Sequence, residues 1–184
     1  MKPLLNTTFL FLLLTVGFAG GVSGQDFEET KRLADQGFSE AQNNLGFMYY
    51  HGEGVPQSYA EAVKWYRLAA EQGHASAQSE MGNMYADGEG IPENDAEAVR
   101  WFRLAAEQGY APAQHNLGNM YAGGESVPQN NLRAYVWWSV AAVQGREDSR
   151  NNRDIVAGKL TPEQLAQGQD MAARCFESDY QDCE

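Results

Sequence analysis

Residues 74–109 read HASAQSEMGNMYADGEGIPENDAEAVRWFRLAAEQG, and this stretch decides how the chain folds. The preceding block, residues 38–73, has the same length and shares 21 of its 36 residues with it. Residues 110–145 form a third block in the same register, although its second half diverges. A fixed period of this size is typical of repeat proteins, in which stacked units bury their apolar faces against one another. The sequence therefore predicts an array of small repeated units.

Each block contains two helical patterns separated by a glycine-rich turn. In the first block, apolar residues recur at helical spacing from Ala41 to Tyr49 and again from Ala62 to Ala70. The turn between them, residues 52–56, reads GEGVP. Glycine ends a helix readily in a left-handed conformation, and the proline that follows cannot continue it. No strand alternation is present, so we expect an all-α fold of stacked helical hairpins.

Local signals mark the start of the second helix in each hairpin. Ser58 precedes Glu61 by three residues, and Asn94 precedes Glu97 in the same way. This spacing predicts a capping box, in which the two side chains satisfy each other's backbone amides.

Glycine and tryptophan recur together inside the predicted helices. Glycine costs about 1 kcal/mol relative to alanine inside a helix, so its repetition calls for a close approach of the paired helix. We expect tryptophan rings to fill that space, with the ring of the middle repeat the most buried. The glycines are Gly46, Gly82 and Gly118, and the tryptophans are Trp65, Trp101 and Trp137.

Residues 1–24 carry the features of a secretory signal peptide. Lys2 supplies a positive charge, an apolar run follows from Leu10 to Leu14, and small residues precede a possible cut after Gly24. The apolar run is shorter than the roughly 20 residues of a transmembrane helix, which makes a membrane anchor the less favoured alternative. We expect cleavage after Gly24 and export to the periplasm or the medium.

The charge balance excludes some classes of partner. The chain has 25 acidic and 13 basic residues, and its formal net charge is −12. Nucleic-acid binding and docking on anionic membranes both need basic surfaces, so neither is expected. The two cysteines, Cys175 and Cys183, are too few for a disulfide scaffold and wrongly spaced for zinc. In an oxidising compartment we expect them to bond to each other.

The repeated positions read A-Q-x-x-[LM]-G-x-M-Y-x-x-G-E-[GS]-[VI]-P, then A-x-x-W and A-A-x-Q-G. This pattern resembles the Sel1-like repeat, a relative of the tetratricopeptide repeat. The third block departs from the pattern at Ser126 and Arg133. The resemblance implies a right-handed αα solenoid that acts as an adaptor in protein complexes. It also implies a layout of a leading half-repeat, three repeats and a closing cap, over residues 25–37, 38–73, 74–109, 110–145 and 146–184.

The same resemblance indicates where a partner would bind. In the tetratricopeptide arrangement the first helices line a concave groove, so the variable positions of those helices become candidates for a protein- or peptide-binding groove. They are Asn43, Phe47, Tyr50, Ser79, Asn83, Ala86, His115, Asn119 and Ala122. Charged residues of the second helices, including Arg67 and Arg103, are expected on the convex face. The alternative is that the variable positions form an ordinary polar helix surface.

The sequence contains no recognisable catalytic or metal-binding pattern. Cysteine-rich relatives of this repeat are linked to penicillin binding, which makes a β-lactamase-type hydrolase one alternative function. No serine here has a lysine three residues later, as that chemistry requires. The three histidines, His51, His74 and His115, occupy different repeat positions and are expected at the surface. We therefore expect no cofactor, no metal and no catalysis, with a self-assembling envelope protein as a further alternative.

Overall fold

The computed structural model describes residues 24–124 and 128–183, and within these ranges it contains nine α-helices and no strand. The predicted signal peptide therefore lies outside the described residues, apart from Gly24. The helices are α1 (Gly24–Asp35), α2 (Ser39–His51), α3 (Tyr59–Glu71), α4 (Ala75–Asp87), α5 (Asp95–Ala106), α6 (Ala111–Gly123), α7 (Asn131–Val143), α8 (Glu147–Ala157) and α9 (Pro162–Glu177).

The helices stack in chain order. Within each repeat the two helices pack against each other, as α2 with α3, α4 with α5, and α6 with α7. Each second helix also packs against the first helix of the next repeat, so that one continuous array results. The predicted all-α solenoid of helical hairpins is confirmed.

The predicted helix ends are present in all three repeats. The first helices end at Gly52, Gly88 and Gly124, which are left-handed with φ values of 71°, 69° and 76°. Glycine adopts this conformation without the steric cost that a Cβ would bring. Its backbone amide then donates to the last turn of the helix.

The predicted capping boxes form only in part. The Ser58 hydroxyl accepts from the backbone amide of Glu61, and the equivalent bond forms at the start of α5. The Glu61 carboxylate does not return the bond, because it pairs with Lys64 one turn further along the helix. A complete box occurs at α9, where Thr161 and Gln164 satisfy each other's backbone amides.

The helix-interior glycines admit an aromatic ring, although it is not the ring expected from the sequence. A Cβ on Gly82 would lie 2.5 Å from the ring of Phe102, and Tyr66 and Trp138 sit in the same way over the equivalent glycines. The prediction that Trp101 and its equivalents fill this space is wrong. The residue after each tryptophan does so, because it points from the second helix toward the first helix of the same repeat.

The tryptophans instead pack between repeats. Trp101 is 6% exposed and belongs to an apolar cluster built by residues of α3 in the preceding repeat and of α4. Trp137 is only 1% exposed, whereas Trp65 is half-buried at the leading end. The expectation that Trp101 is the most buried of the three is therefore wrong, because the C-terminal helices enclose the last repeat more completely than the middle one.

Buried glutamines bond the repeats together in a regular ladder. In each repeat a glutamine at the start of the first helix donates to a backbone carbonyl of the preceding second helix, at 3.1–3.2 Å. A second glutamine, at the end of the second helix, donates to the side-chain oxygen of the first at 2.6–2.8 Å. The first set is Gln42, Gln78 and Gln114, and the second is Gln72, Gln108 and Gln144. These bonds satisfy polar groups that burial would otherwise penalise.

Two arginines expected to be solvated on the convex face also connect repeats. The guanidinium of Arg67 donates to the hydroxyl of Tyr85 at 3.3 Å, and that of Arg103 donates to Tyr121 at 3.0 Å. The tyrosines lie on the first helix of the following repeat. These arginines therefore contribute to stacking rather than to an open charged face.

A C-terminal cap closes the array. Both α8 and α9 pack against α7, and Gly168 of α9 lies directly beside the ring of Tyr135. After α9 the chain turns back, and a disulfide joins Cys175 to Cys183. The tail reaches the end of α5, where the ring of Tyr180 covers Gly109.

Candidate partner-binding face

Side chains of consecutive first helices meet along one face of the array, which we call the first-helix face. His74 Nε2 lies 2.9 Å from Glu40 Oε2, and Asn116 Nδ2 donates to Asn83 Oδ1 at 2.9 Å. His115 Nδ1 lies 2.8 Å from the hydroxyl of Ser149 on α8. These contacts connect α2 to α4, α4 to α6 and α6 to α8, and two of the predicted residues, Asn83 and His115, take part in them.

The first repeat bears an aromatic cluster on this face, made of Phe47, Tyr50, His51 and Tyr59. The ring centroid of Phe47 lies 4.2 Å from that of His51, which in turn lies 4.9 Å from Tyr50. Tyr50 continues the series to Tyr59, at 5.2 Å. Phe47 is 43% exposed, so the cluster presents aromatic surface to solvent.

A carboxylate of the second repeat contacts the aromatic cluster. The hydroxyl of Tyr50 donates to Glu89 Oε2 at 2.6 Å, across to the turn of the second repeat. This bond, with burial as the second cause, raises the pKa of Tyr50 far above its ordinary value, so the phenol stays protonated. Burial is the main reason that the pKa of the neighbouring Tyr66 is raised, and the charge of Glu80 adds to the effect. The aromatic cluster thus has one carboxylate, that of Glu89, in direct contact with it.

Two of the three predicted asparagines, Asn83 and Asn119, already have partners within the protein. Asn83 donates to Glu80 at 3.0 Å while its oxygen accepts from Asn116. The oxygen of Asn119, an exposed residue, accepts from the indole nitrogen of Trp138 at 3.2 Å. Asn43 is half-buried, and its Oδ1 has no hydrogen-bond partner within the described part of the chain. At Asn83 and Asn119 a peptide would therefore meet amides whose orientations are already fixed, which reduces the entropy lost on binding.

His115 lies where α8 joins the face. Burial lowers the pKa of His115, against the opposing effect of Asp148, whose Oδ2 lies 3.7 Å from Nε2. The hydrogen bond from Arg146 is the main reason that the pKa of Asp148 falls to about 2. Ser149 is completely buried, so its hydroxyl cannot reach a substrate. His115, Asp148 and Ser149 hold α8 against α6.

The structure also changes the extent of the predicted face. Ser79 is 2% exposed and therefore unavailable to a partner, whereas Ala86 and Ala122 are half-buried. His51, Tyr59, Glu80 and Glu89 were missed by the sequence reasoning. His51 could have been found, since it follows Tyr50 on the same helix and varies between repeats. Tyr59 could not, because it comes from the second helix and joins the cluster only through the crossing of α2 and α3.

The described part of the chain contains neither a candidate metal site nor a helix that could span a membrane. Over residues 24–124 and 128–183, no three histidine, cysteine, aspartate or glutamate side chains are grouped so that they could hold a metal ion. No helix in these ranges is both long and apolar enough to span a membrane.

Comparisons with known proteins support the interpretation of the repeats. The Sel1 repeat matches residues 39–74, 75–110 and 111–145, each unit beginning one residue later than the blocks defined from the sequence. No curated protein matches the chain.

Two solved structures are similar over most of the chain. One is a protective antigen of uropathogenic Escherichia coli with an SLR fold, at 32% identity and a TM-score of 0.78, covering 85% of this chain and 34% of that protein. The other is a Sel1 repeat protein of Oxalobacter formigenes, at 33% identity and a TM-score of 0.70, covering 82% of this chain and 62% of that protein. This chain thus spans about a third of the first relative and less than two thirds of the second. With three repeats matched over more than half of its length, the chain belongs to the Sel1 repeat family.

Proposed function

We propose that this protein is an exported, non-catalytic scaffold that binds a protein or peptide partner on its first-helix face. Sel1 repeats commonly serve as protein-interaction scaffolds and are generally non-catalytic. The observation that carries the proposal is the contrast between fixed and variable positions. Many fixed positions are buried or bonded between repeats, whereas four variable positions of the first helices keep side chains that are at least partly exposed, namely Phe47, Tyr50, Asn83 and Asn119.

The exposed ring of Phe47 supports binding at this face. Aromatic residues supply much of the binding energy of protein interfaces, because they bury a large area at a low cost in side-chain entropy. Phe47 lies at a position where the second and third repeats carry Asn83 and Asn119. Helix packing therefore does not require an aromatic residue there, and a partner would explain it.

Export is supported by two independent features. The N-terminal sequence combines Lys2, an apolar run and small residues before Gly24. The disulfide between Cys175 and Cys183 suits an oxidising compartment. N-terminal sequencing of the exported protein should begin at Gln25. A retained Met1 in the membrane fraction would contradict cleavage.

Affinity capture tests the binding face. The chain from residue 25 onward is immobilised and incubated with cell-envelope extract, and bound proteins are identified by mass spectrometry. A Phe47→Asn variant, which introduces the residue of the second repeat, should lose the main partner while retaining the helical circular dichroism spectrum. The matched control is Phe176→Asn, which alters a ring of similar exposure (51%) on α9. Equal loss with both variants would move the binding site off the first-helix face.

The two asparagines give a second measurement on the same partner. Replacing Asn83 and Asn119 together by alanine removes hydrogen bonds worth about 0.5–1.5 kcal/mol each. The dissociation constant should then rise roughly tenfold. An unchanged constant in the folded double variant would leave the aromatic cluster as the binding determinant and exclude these amides.

A further inference from the structure

We propose that the aromatic cluster of the first repeat binds a basic segment of the partner, with a lysine or arginine side chain over its rings. The inference rests on the proposed function, since it names the chemistry of the partner at the same face. It depends on three observations, namely the ring geometry, the carboxylate of Glu89 in an acidic chain, and the confinement of the cluster to one repeat.

The ring geometry offers aromatic faces to a cation. Four rings follow one another at centroid separations of 4.2, 4.9 and 5.2 Å, and the leading ring, that of Phe47, is 43% exposed. A cation within about 6 Å of a ring centroid is attracted by the negative face of the ring. The aliphatic part of a lysine or arginine side chain can pack on the same rings while its charged end reaches beyond them.

The flanking charges favour a cation over an anion or a neutral group. The Glu89 carboxylate accepts a hydrogen bond from the hydroxyl of Tyr50 at 2.6 Å. This bond keeps Tyr50 protonated, so the cluster itself adds no phenolate charge and has one carboxylate in contact with it. The chain as a whole carries a formal net charge of −12, which would also steer a basic segment toward it.

The confinement of the cluster to one repeat argues that it is not needed for folding. The residues 36 positions after the four cluster members are Asn83, Ala86, Asp87 and Asp95. None of these is aromatic, yet α4 and α5 pack as α2 and α3 do. The cluster therefore has no role common to the repeats, and recognition of a partner accounts for it.

Selection from random peptides tests the proposal even before a partner is identified. A library of random dodecapeptides displayed on phage is selected against the chain from residue 25 onward, and the enriched sequences are measured by fluorescence anisotropy. We expect lysine or arginine next to an apolar residue in the enriched peptides. Replacing the basic residue by glutamine should weaken binding by about threefold to tenfold.

The second repeat supplies matched variants. Phe47→Asn and Tyr50→Ala each introduce the residue found one repeat later, and Glu89→Gln removes one carboxylate without changing its size. Each should weaken binding of the basic peptides by about threefold to tenfold, and raised salt should weaken it further. Phe176→Asn should leave it unchanged, and thermal melting confirms that every variant is folded.

The outcomes separate this inference from the proposed function. Selection of acidic or uncharged peptides, failure to select any peptide, or equal binding by Phe47→Asn would each overturn the inference. Suppose the captured partner is lost with Phe47→Asn but binds through an uncharged segment. The proposed function then stands and the inference falls. If capture is unaffected by Phe47→Asn, the proposed function itself fails.

Discussion

The second helices α5 and α7 occupy equivalent places in consecutive repeats, yet their surroundings differ. On α5, Arg100 and Leu104 remain exposed, whereas the equivalent residues of α7, Val136 and Val140, are fully buried. Every residue of α7 from 134 to 142 is buried. The difference arises because α8 and α9 both pack against α7. Replacement of a polar residue by an apolar one in the last repeat thus marks where the cap binds, and burial is greatest beside the cap.

The largest expected effect is truncation of the repeat tryptophans. Trp137→Ala and Trp101→Ala should each lower the free energy of unfolding by about 3–5 kcal/mol, the range for buried aromatic residues. Trp137→Ala should cost a few tenths of a kcal/mol more, because the exposed fractions are 1% and 6%. Urea denaturation measures both values.

Leu104→Ala is the control for that comparison, because Leu104 is 37% exposed and should cost no more than roughly 0.5–1 kcal/mol. A greater loss at Trp101 than at Trp137 would show that the cap does not add to the packing of the third repeat.

The disulfide should have the next largest effect, and it tests whether the cap is held on α7. Cys175 and Cys183 are 8 residues apart, and closing so short a loop stabilises by roughly 2.5 kcal/mol on the chain-entropy model. Two residues of this loop, Asp179 and Tyr180, have left-handed backbone conformations with φ of 53° and 68°. The crosslink helps to hold them in these unfavourable conformations.

Reduction should therefore speed hydrogen exchange in α9 and the tail while α2 and α3 exchange as before. Thiol titration of the unfolded, unreduced protein should detect no free thiol. Two free thiols, or unchanged exchange after reduction, would contradict this role.

Alanine substitution of the helix-interior glycines should lower the free energy of unfolding by a smaller amount, and by different amounts in the second and third repeats. A methyl group at Gly118 would meet the indole of Trp138, which is fixed by hydrogen bonds to Asn119 and to the carbonyl of His115. The Phe102 ring opposite Gly82 has no such bonds and can shift. We expect Gly118→Ala to cost about 2–3 kcal/mol and Gly82→Ala about 1–2 kcal/mol, measured by urea denaturation.

Gly158→Ala is the matched control, because the nearest atom to its new Cβ would be a backbone oxygen at 3.5 Å and its φ is −66°. This change should be neutral or stabilise by a few tenths of a kcal/mol. Equal effects at Gly82 and Gly118 would show that hydrogen bonding of the ring is irrelevant.

The sequence was sufficient for the helical hairpins and their ends, because those depend on local signals such as Gly52 and Ser58. It was insufficient for deciding which of two adjacent aromatic residues faces which neighbour. Trp101 and Phe102 lie about 100° apart around one helix, and both belong to its apolar stripe. Only the packing of the repeats sends the first toward α3 and the second toward Gly82.

The candidate site also contains some residues that the sequence predicts and others that only the packing of the repeats brings to it. Phe47 and Tyr50 could be predicted, because they vary at first-helix positions of a regular repeat. Glu89 could not, because it reaches Tyr50 from the turn of the next repeat, and contacts between turns and helices leave no periodic signal. The burial of Ser79 was also unpredictable, since Asn43 and His115 occupy the equivalent positions and are only half-buried.

The smallest expected effect is a pH dependence located at the junction of α6 and α8. Burial lowers the pKa of His115 below its ordinary value of 6.5, so the unfolded chain takes up this proton at a higher pH than the folded protein does. The free energy of unfolding should therefore fall as the pH drops below about 6.5. A separate decrease should follow below about pH 4, where the unfolded chain protonates Asp148 while the folded protein, with its pKa of about 2, does not.

His115→Asn isolates the decrease in stability that begins below about pH 6.5. The first repeat carries Asn43 at the equivalent position, so the helix accepts this residue. The variant will be less stable at pH 7, because the contact with Ser149 is lost. The relevant quantity is therefore the slope of the free energy of unfolding against pH, not its absolute value. Urea denaturation between pH 7.5 and 3 should show a shallower slope between pH 6.5 and 5 in the variant, with the step below pH 4 retained. If the variant keeps the whole slope above pH 5, the proton taken up there belongs to another group, and the cap would then be held against α6 without any contribution from the ionisation of His115.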